Sequence, residues 1–429
     1  MPRIVRGEGA YVYDAAGKRY LDGLSGLFTV QVGHGRTELA RAAARQAETL
    51  AYFPVWGYEN EPAVALAQRL VDLADHAPLT RVFFTVSGSE AVEAAWKLAR
   101  QYFAAVGQPS RHKVISRTFT YHGTSMGALS ITGIPAIRAP FEPLVPGAIK
   151  VQNTNRYRCT DCAHLDACTL RCADDIALRI EMEGPETVAA VYLEPVQNTG
   201  GALTPPPGYF ERVREICDRY GVLLVSDEVI CAFGRLGHWY GSQRYGYAPD
   251  ILTFAKGVTS GYAPMGGMLV ADRLAEPFLA ERAVFLHGHT FGGHPVAAAV
   301  ALANLDVMAA EDLLGNVRRN EALFEAELEA LRDSPIVGDV RGAGYFRVIE
   351  LVKDQATRTS FDDDECEWLL RGFLSPALYE AGLICRADDR ADPVLVLSPP
   401  LICGPDELRF IGATLRRALT DAWAAFRRR

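Results

Sequence analysis

Two stretches, Gly221-Val222-Leu223-Leu224-Val225-Ser226-Asp227-Glu228-Val229 and Pro249-Asp250-Ile251-Leu252-Thr253-Phe254-Ala255-Lys256-Gly257, decide the architecture. Each is a short apolar run, bounded by turn-forming residues, with a charged residue at its end. That is the pattern of a buried strand rather than of an amphipathic helix. Working outward, the same pattern recurs in RVFFTVSG (81–88), HKVISR (112–117) and TVAAVYLEP (187–195), with helical segments over Ser89 to Val106 and Gly208 to Tyr220 between them. Short apolar runs alternating with helices predict an α/β fold with a mostly parallel sheet covered on both faces.

The ends of the chain read differently. Tyr11 to Leu21 alternates as a β-hairpin turning at Ala15-Ala16-Gly17-Lys18, and His34 to Leu50 follows as an amphipathic helix. One long helical stretch is expected from His294 to about Leu331. Beyond it, VRGAGYFRVIEL (340–351) and DPVLVLSPPL (392–401) read as strands, with helices around Asp364 to Ala381 and Pro405 to Arg427. The C-terminal part is expected to join the N-terminal hairpin in one small domain. The expected division is 1–45 and 315–429 for the small domain and 46–314 for the large one, with a Cys-rich loop at 155–175.

With 429 residues, 49% of them hydrophobic, the chain can bury a large core. A formal charge of -8 argues against a protein that grips phosphate backbones, so no nucleic-acid partner is expected. The N-terminus, MPRIVRGEGAYVYDAAGKRYLDG, is too polar for a signal peptide, and no run of about eighteen apolar residues could span a membrane. A soluble, cytoplasmic protein is the expectation.

Lys256 ends an apolar strand. A lysine there can lose its charge through desolvation and attack a carbonyl as a neutral amine, although most strand-end lysines are solvated charges. Asp227 also ends a strand, at the edge where open α/β sheets bind ligands. It can hold a pyridine nitrogen protonated or simply cap a turn. Glu194 supplies a third strand-end acid. Ser87-Gly88-Ser89-Glu90 between strand and helix can cradle a phosphate on backbone N–H groups, form a capping box, or do both. Tyr121-His122-Gly123 follows HKVISR, where a tyrosine can stack on a flat ring.

SGSEA (87–91), YHG (121–123), EPV (194–196), DEVICAFGR (227–235), TFAKG (253–257) and HGHTFGGHP (287–295), in this order, resemble the class III aminotransferases of pyridoxal phosphate (PLP) fold type I. The likeness is to the ω-transaminase or amine:pyruvate branch and covers nearly the whole chain. It implies a seven-stranded, mostly parallel sheet and a bound PLP. It implies Lys256 as Schiff-base lysine and proton shuttle, and Asp227 as partner of the pyridine nitrogen. Tyr121 and Val229 become the two faces of the ring sandwich, with Ser87, Gly88 and Ser89 at the phosphate and His122 and Glu194 in support. Thr290 would reach the phosphate in a neighbouring subunit, so an obligate homodimer is implied and a tetramer left open.

The implied reaction is ping-pong transfer of an amino group from a primary amine or ω-amino acid to pyruvate or 2-oxoglutarate. Arg386 falls where the branch has a movable arginine for carboxylates, although a solvated loop arginine would read the same way. Phe28, Tyr52, Trp56 and Arg386 are the candidate substrate contacts. Two departures stand out: the branch usually has Trp where Phe28 stands, and some tens of residues usually precede the GAYVYDAAGKRYLDG segment, so a more open donor pocket is expected. An aminomutase or a decarboxylating aminotransferase would share the same motifs. A dead scaffold would have no need of Lys256, Asp227 and the phosphate cup together.

Cys159-x2-Cys162-x5-Cys168-x3-Cys172, with His164 between, is the remaining feature. Four thiols this close can converge on zinc or an iron–sulfur cluster, or stay unligated in a variable loop. The expected role is structural, bracing the segment between Tyr157 and Asp175.

Overall fold

Seven apolar runs pair into one sheet in the order Leu79–Thr85, Gly266–Ala271, Ile251–Phe254, Leu223–Asp227, Val188–Leu193, Lys113–Arg117, Ala148–Val151. The computed structural model describes residues 3–280 and 283–429. All neighbouring pairs are parallel except those made by Gly266–Ala271, which lies antiparallel between its two neighbours. Every residue of Val188–Leu193 is buried, as a strand covered on both faces requires.

Two strands of this sheet escaped the sequence reading. Ala148–Val151 is a four-residue edge strand. Gly266–Ala271 opens on two glycines, which weaken any strand signal. They are required there by close backbone approach. A Cβ on Gly266 would stand 2.7 Å from the Ser87 carbonyl oxygen, and one on Gly267 would stand 2.6 Å from that of Phe83.

Because Lys113–Arg117, Val188–Leu193, Leu223–Asp227 and Ile251–Phe254 run the same way, the residues that follow them gather along one edge of the sheet. Open α/β sheets bind ligands there. Local signals set the alternation. Helix Tyr209–Tyr220 stops at Gly221, whose φ of 63 lets its N–H turn back to Asp218 and start the next strand.

The terminal segments meet through many direct bonds, among them Ser25 Oγ to the Ser398 carbonyl and Lys18 to Glu380, but they do not share one continuous sheet. The N-terminal strands Ile4–Glu8, Tyr11–Asp14 and Arg19–Asp22 take only the two-residue strand Leu383–Ile384 from the C-terminal part. The other C-terminal strands, Val337–Ala343, Phe346–Leu351, Val394–Leu397 and Arg386–Asp388, form a separate sheet. VRGAGYFRVIEL is a hairpin and not one strand, turning at Gly344 with φ 55. The stretch from His294 to Leu331 is two helices, Pro295–Ala310 and Leu313–Glu329, because Asp312 takes a left-handed φ of 47 and accepts the N–H of Gly315. Among the described residues no helix is long and apolar enough to cross a membrane.

One buried guanidinium joins these parts. Arg235, fully buried, donates to the carbonyls of Tyr345 (3.3 Å) and Pro399 (2.5 Å), to Ser25 Oγ (3.2 Å) and to Gln31 Oε1. Arg235→Met strands four buried acceptors and should destabilise the protein by about 3–5 kcal/mol. Arg235→Lys should recover only part of this, since an ammonium lacks the planar fork. The denaturation midpoints of the two variants check this.

Candidate active site

A cavity of about 360 Å³ opens at the edge where the parallel strands end. It is lined by Phe28, Ser87, Gly88, Ser89, Tyr121, His122, Glu194, Asp227, Val229, Lys256 and Arg386, which are eleven of the residues singled out from the sequence. They come from seven separate stretches of chain.

Lys256 follows the strand Ile251–Phe254 with a left-handed φ of 44, unusual for a residue with a side chain. Its Nζ stands 5.5 Å from the centre of the Phe28 ring. Phe28, also left-handed with φ 60, is buried and packs edge-on against Phe346 at 5.4 Å. Burial lowers the Lys256 amine to about 8, against the raising pull of Asp227 and Glu194, and Arg386 lowers it further. About a fifth of this amine is therefore neutral near physiological pH, against well under a hundredth for a solvated lysine.

Asp227 is held on three sides. Its Oδ2 lies 2.6 Å from His122 Nδ1, and its Oδ1 accepts from Val229 N (3.1 Å) and Thr253 Oγ1 (3.3 Å). His122 Nε2 lies 3.0 Å from Thr120 Oγ1, and Thr120 also bonds Glu194 Oε1. Asp227, His122, Thr120 and Glu194 form one buried hydrogen-bonded row. Burial raises the Glu194 carboxyl, while His122, Arg117 and the Thr120 bond pull it down. Glu194 Oε2 in turn accepts from Asn198 N at 2.9 Å.

The strand-to-helix turn at 85–90 is a phosphate-sized cradle. Ser87 caps helix Gly88–Ala105 by accepting from Glu90 N, and Glu90 reaches back to Val86 N rather than closing on Ser87 itself. Gly88 has to be glycine, since a Cβ would stand 2.9 Å from Val229 Cγ1. Gly123, with φ 124, would place one 2.3 Å from Ser89 Oγ. The N-terminus of an eighteen-residue helix thus opens into the cavity beside Ser89.

The mouth carries two arginines on one acid. Asp388, largely buried, takes Arg390 by two contacts (Nη2 2.5 Å, Nε 2.9 Å) and Arg386 more loosely (Nε 3.4 Å). Arg390 also lies over the Tyr121 ring at 5.8 Å. Asp389 points away to Arg371. Sequence reasoning missed Thr120, Asn198, Asp388 and Arg390, because nothing local marks a threonine, an amide or a loop ion pair as facing a cavity.

Tyr52, Trp56 and Thr290 are not in this cavity. Tyr52 Oη donates to the Thr290 carbonyl at 2.7 Å, and Trp56 packs over Gly288, both on an exposed surface made by the 52–58 and 283–294 segments. The expected grouping of Tyr52 and Trp56 with Phe28 and Arg386 is therefore corrected within one chain. The segment after helix Thr37–Leu50 packs instead with 284–292 around a separate cavity, lined by Val55, Trp56, Phe83, Phe84, His287 and His289 at the end of the strand Leu79–Thr85. The four loop cysteines are all free thiols, and among the described residues no group of three or more His, Cys, Asp or Glu is set to hold a metal ion.

The fold and this strand-end lysine define a PLP-dependent transferase. The family model for class III aminotransferases matches residues 2–419, and the chain belongs to that family. It is 60% identical over 422 residues to "Probable aminotransferase Rv3329" of Mycobacterium tuberculosis, covering 98% of this chain and 90% of that protein. It is 38% identical to the putrescine–pyruvate aminotransferase of Pseudomonas aeruginosa, covering 98% and 91%. A PLP-bound amine transaminase from an uncultivated Pseudomonas species superposes with a TM-score of 0.93 at 37% identity, covering 98% of this chain and 95% of that one. The protein is a class III aminotransferase of PLP fold type I, and its residues fit PLP: a cradle with no room for a Cβ, a buried acid and a desolvated lysine share one cavity.

Below its pKa an amine is mostly protonated, so the nucleophilic fraction of Lys256 should rise tenfold per pH unit up to about 8 and then level off. The rate at which cofactor-free protein takes up PLP, followed by absorbance, should show that profile. A rate still climbing steeply at about pH 10 would mean the amine is solvated.

Proposed function

We propose that this enzyme moves an amino group from a primary amine or ω-amino acid to a small keto acid, pyruvate or 2-oxoglutarate, by a ping-pong route. The observation that carries the reading is the cavity with Lys256 at its floor and the Arg386–Asp388–Arg390 group at its mouth. Bound PLP supplies an exchangeable carbonyl and an electron sink. The 87–89 turn would hold its phosphate, Val229 and Tyr121 would flank its ring, and Asp227, oriented by His122 and the Val229 N–H, would meet its ring nitrogen. Lys256 Nζ, neutral enough to accept a proton, takes it from the donor carbon and returns it elsewhere.

The mouth accounts for two kinds of substrate. Two guanidiniums against one carboxylate leave a net charge of +1, which attracts a keto-acid carboxylate. Arg386, the more loosely held, can turn to that carboxylate and fall back on Asp388 when a bare amine enters. The burial that lowers Arg386 is relieved by either partner.

The same reading includes a homodimer. Tyr52, Trp56, Leu286 and Phe291 leave an exposed apolar face around Thr290, larger than isolated surface residues would make. A solution mass of one chain by light scattering would remove that part.

With an amine but no keto acid, the holoenzyme should convert its cofactor once and stop, and keto acid should restore it. Lys256→Ala should do neither. Sustained turnover without keto acid would point instead to an aminomutase. In the same assay Arg386→Ala should raise KM for the keto acid about tenfold to a hundredfold, with KM for a bare amine little changed.

A further inference from the structure

The catalytic cavity uses none of Cys159, Cys162, Cys168 and Cys172, yet the loop that carries them is gathered around its sulfurs. Cys162 Sγ lies 3.7 Å from Cys168 Sγ. Cys162 is also within hydrogen-bonding reach of Cys159, and Cys172 of Cys168. A disulfide would need about 2.05 Å. The observed separation is instead close to the edge of a tetrahedron with metal–sulfur bonds of about 2.3 Å, which is about 3.8 Å. The Leu170 N–H donates to Cys168 Sγ at 3.4 Å and Gln152 Nε2 to Cys159 Sγ at 3.7 Å, as donors around a thiolate do. His164 is exposed and takes no part.

A second observation comes from the other side of the loop. Arg117, at the end of the strand beside the edge strand Ala148–Val151, is fully buried. Its Nη2 donates to the Glu194 carbonyl oxygen at 2.6 Å, while Nε and Nη1 have no partner. The Glu194 carboxylate is occupied by Thr120 and the Asn198 N–H. On the side of the loop, the Tyr209 hydroxyl is within hydrogen-bonding reach of the guanidinium, and Cys172 is within reach of its charge. The Glu194 carboxylate feels this charge from the far side, and on the side of the loop the buried guanidinium still has two nitrogens without a partner, where a negative centre would be favoured. Cys172 is also the second residue of helix Arg171–Glu183, which has no side-chain cap, so its dipole favours an anion at the same place.

We infer that the four cysteines bind a thiophilic metal as thiolates, either one zinc ion or an iron–sulfur cluster, in a centre whose negative charge is matched by Arg117. Cys162 and Cys168 already stand at that separation, and Cys159 and Cys172 close on the metal when it binds. Binding fastens a brace. Arg158, beside Cys159, donates to buried Glu350 (2.7 Å) and pairs with Asp392 (3.3 Å), and Arg358 donates to the Tyr157 carbonyl (2.6 Å). The centre thereby pins the C-terminal sheet, including its strand Arg386–Asp388, against the central one.

The full-length protein, purified anaerobically without chelators, should carry about one zinc per chain and no acid-labile sulfide, or iron with an equal amount of sulfide. Either result supports the centre and tells the two apart. Cys162→Ser and Cys172→Ser should lose the metal while the cofactor band persists. If these variants do not fold, titrating the wild-type thiols with a mercurial should release the metal to a chromogenic chelator. Arg117→Gln should weaken metal retention about tenfold, and Arg117→Lys should not. Wild-type protein with far less than one metal atom per chain, or cysteine variants that keep the metal, would overturn the inference.

Discussion

Keeping one lysine amine out of water is the constraint on which this structure depends. A buried ammonium is costly to desolvate, so the site tolerates Lys256 by letting it shed its proton. The rest of the cavity follows from that choice. Phe28 covers the amine with an apolar face, and the acids that would re-protonate it, Asp227 and Glu194, are engaged by His122, Thr120 and backbone N–H groups. An unengaged carboxylate in the same place would restore the charge that burial removes.

The acids are held as a row rather than one at a time. Asp227, His122, Thr120 and Glu194 come from strand ends or the turns after them, and each is oriented by the next. Such a row is stable only when every member is satisfied, because the low dielectric that strengthens its bonds also penalises a missing one. Arg117 extends it beyond the cavity through the Glu194 carbonyl, toward the cysteine loop. The site and the loop therefore share a boundary of one guanidinium, although they lie on opposite sides of the strand end.

The mouth is built by a different part of the chain. Asp388, Arg386 and Arg390 sit on a C-terminal strand and the turn after it, and Arg235 fastens that sheet and the N-terminal segment to the large one from below. The paired arginines and the row of acids thus belong to separate sheets, joined by buried arginines rather than by a continuous sheet. Specificity can change at the mouth without disturbing the row of acids beneath it.

Much of the site was legible before any coordinates. Lys256, Asp227, Glu194 and the 87–89 turn sit at the ends of continuous apolar runs, and parallel strands must bring such ends to one edge. The hairpin at 340–351 and the break at Asp312 were not legible, since both turn on single left-handed residues inside otherwise regular patterns. By itself the sequence determined the parallel sheet and the identity of the strand-end residues, because burial on both faces leaves its mark in local composition. Only the tertiary structure decided that Thr120 joins His122 to Glu194, that Asp388 serves two arginines, that Arg117 is buried beside Cys172, and that Tyr52, Trp56 and Thr290 lie outside the cavity. Those are meetings between segments far apart in the chain, and no local pattern encodes which polar groups will be buried together.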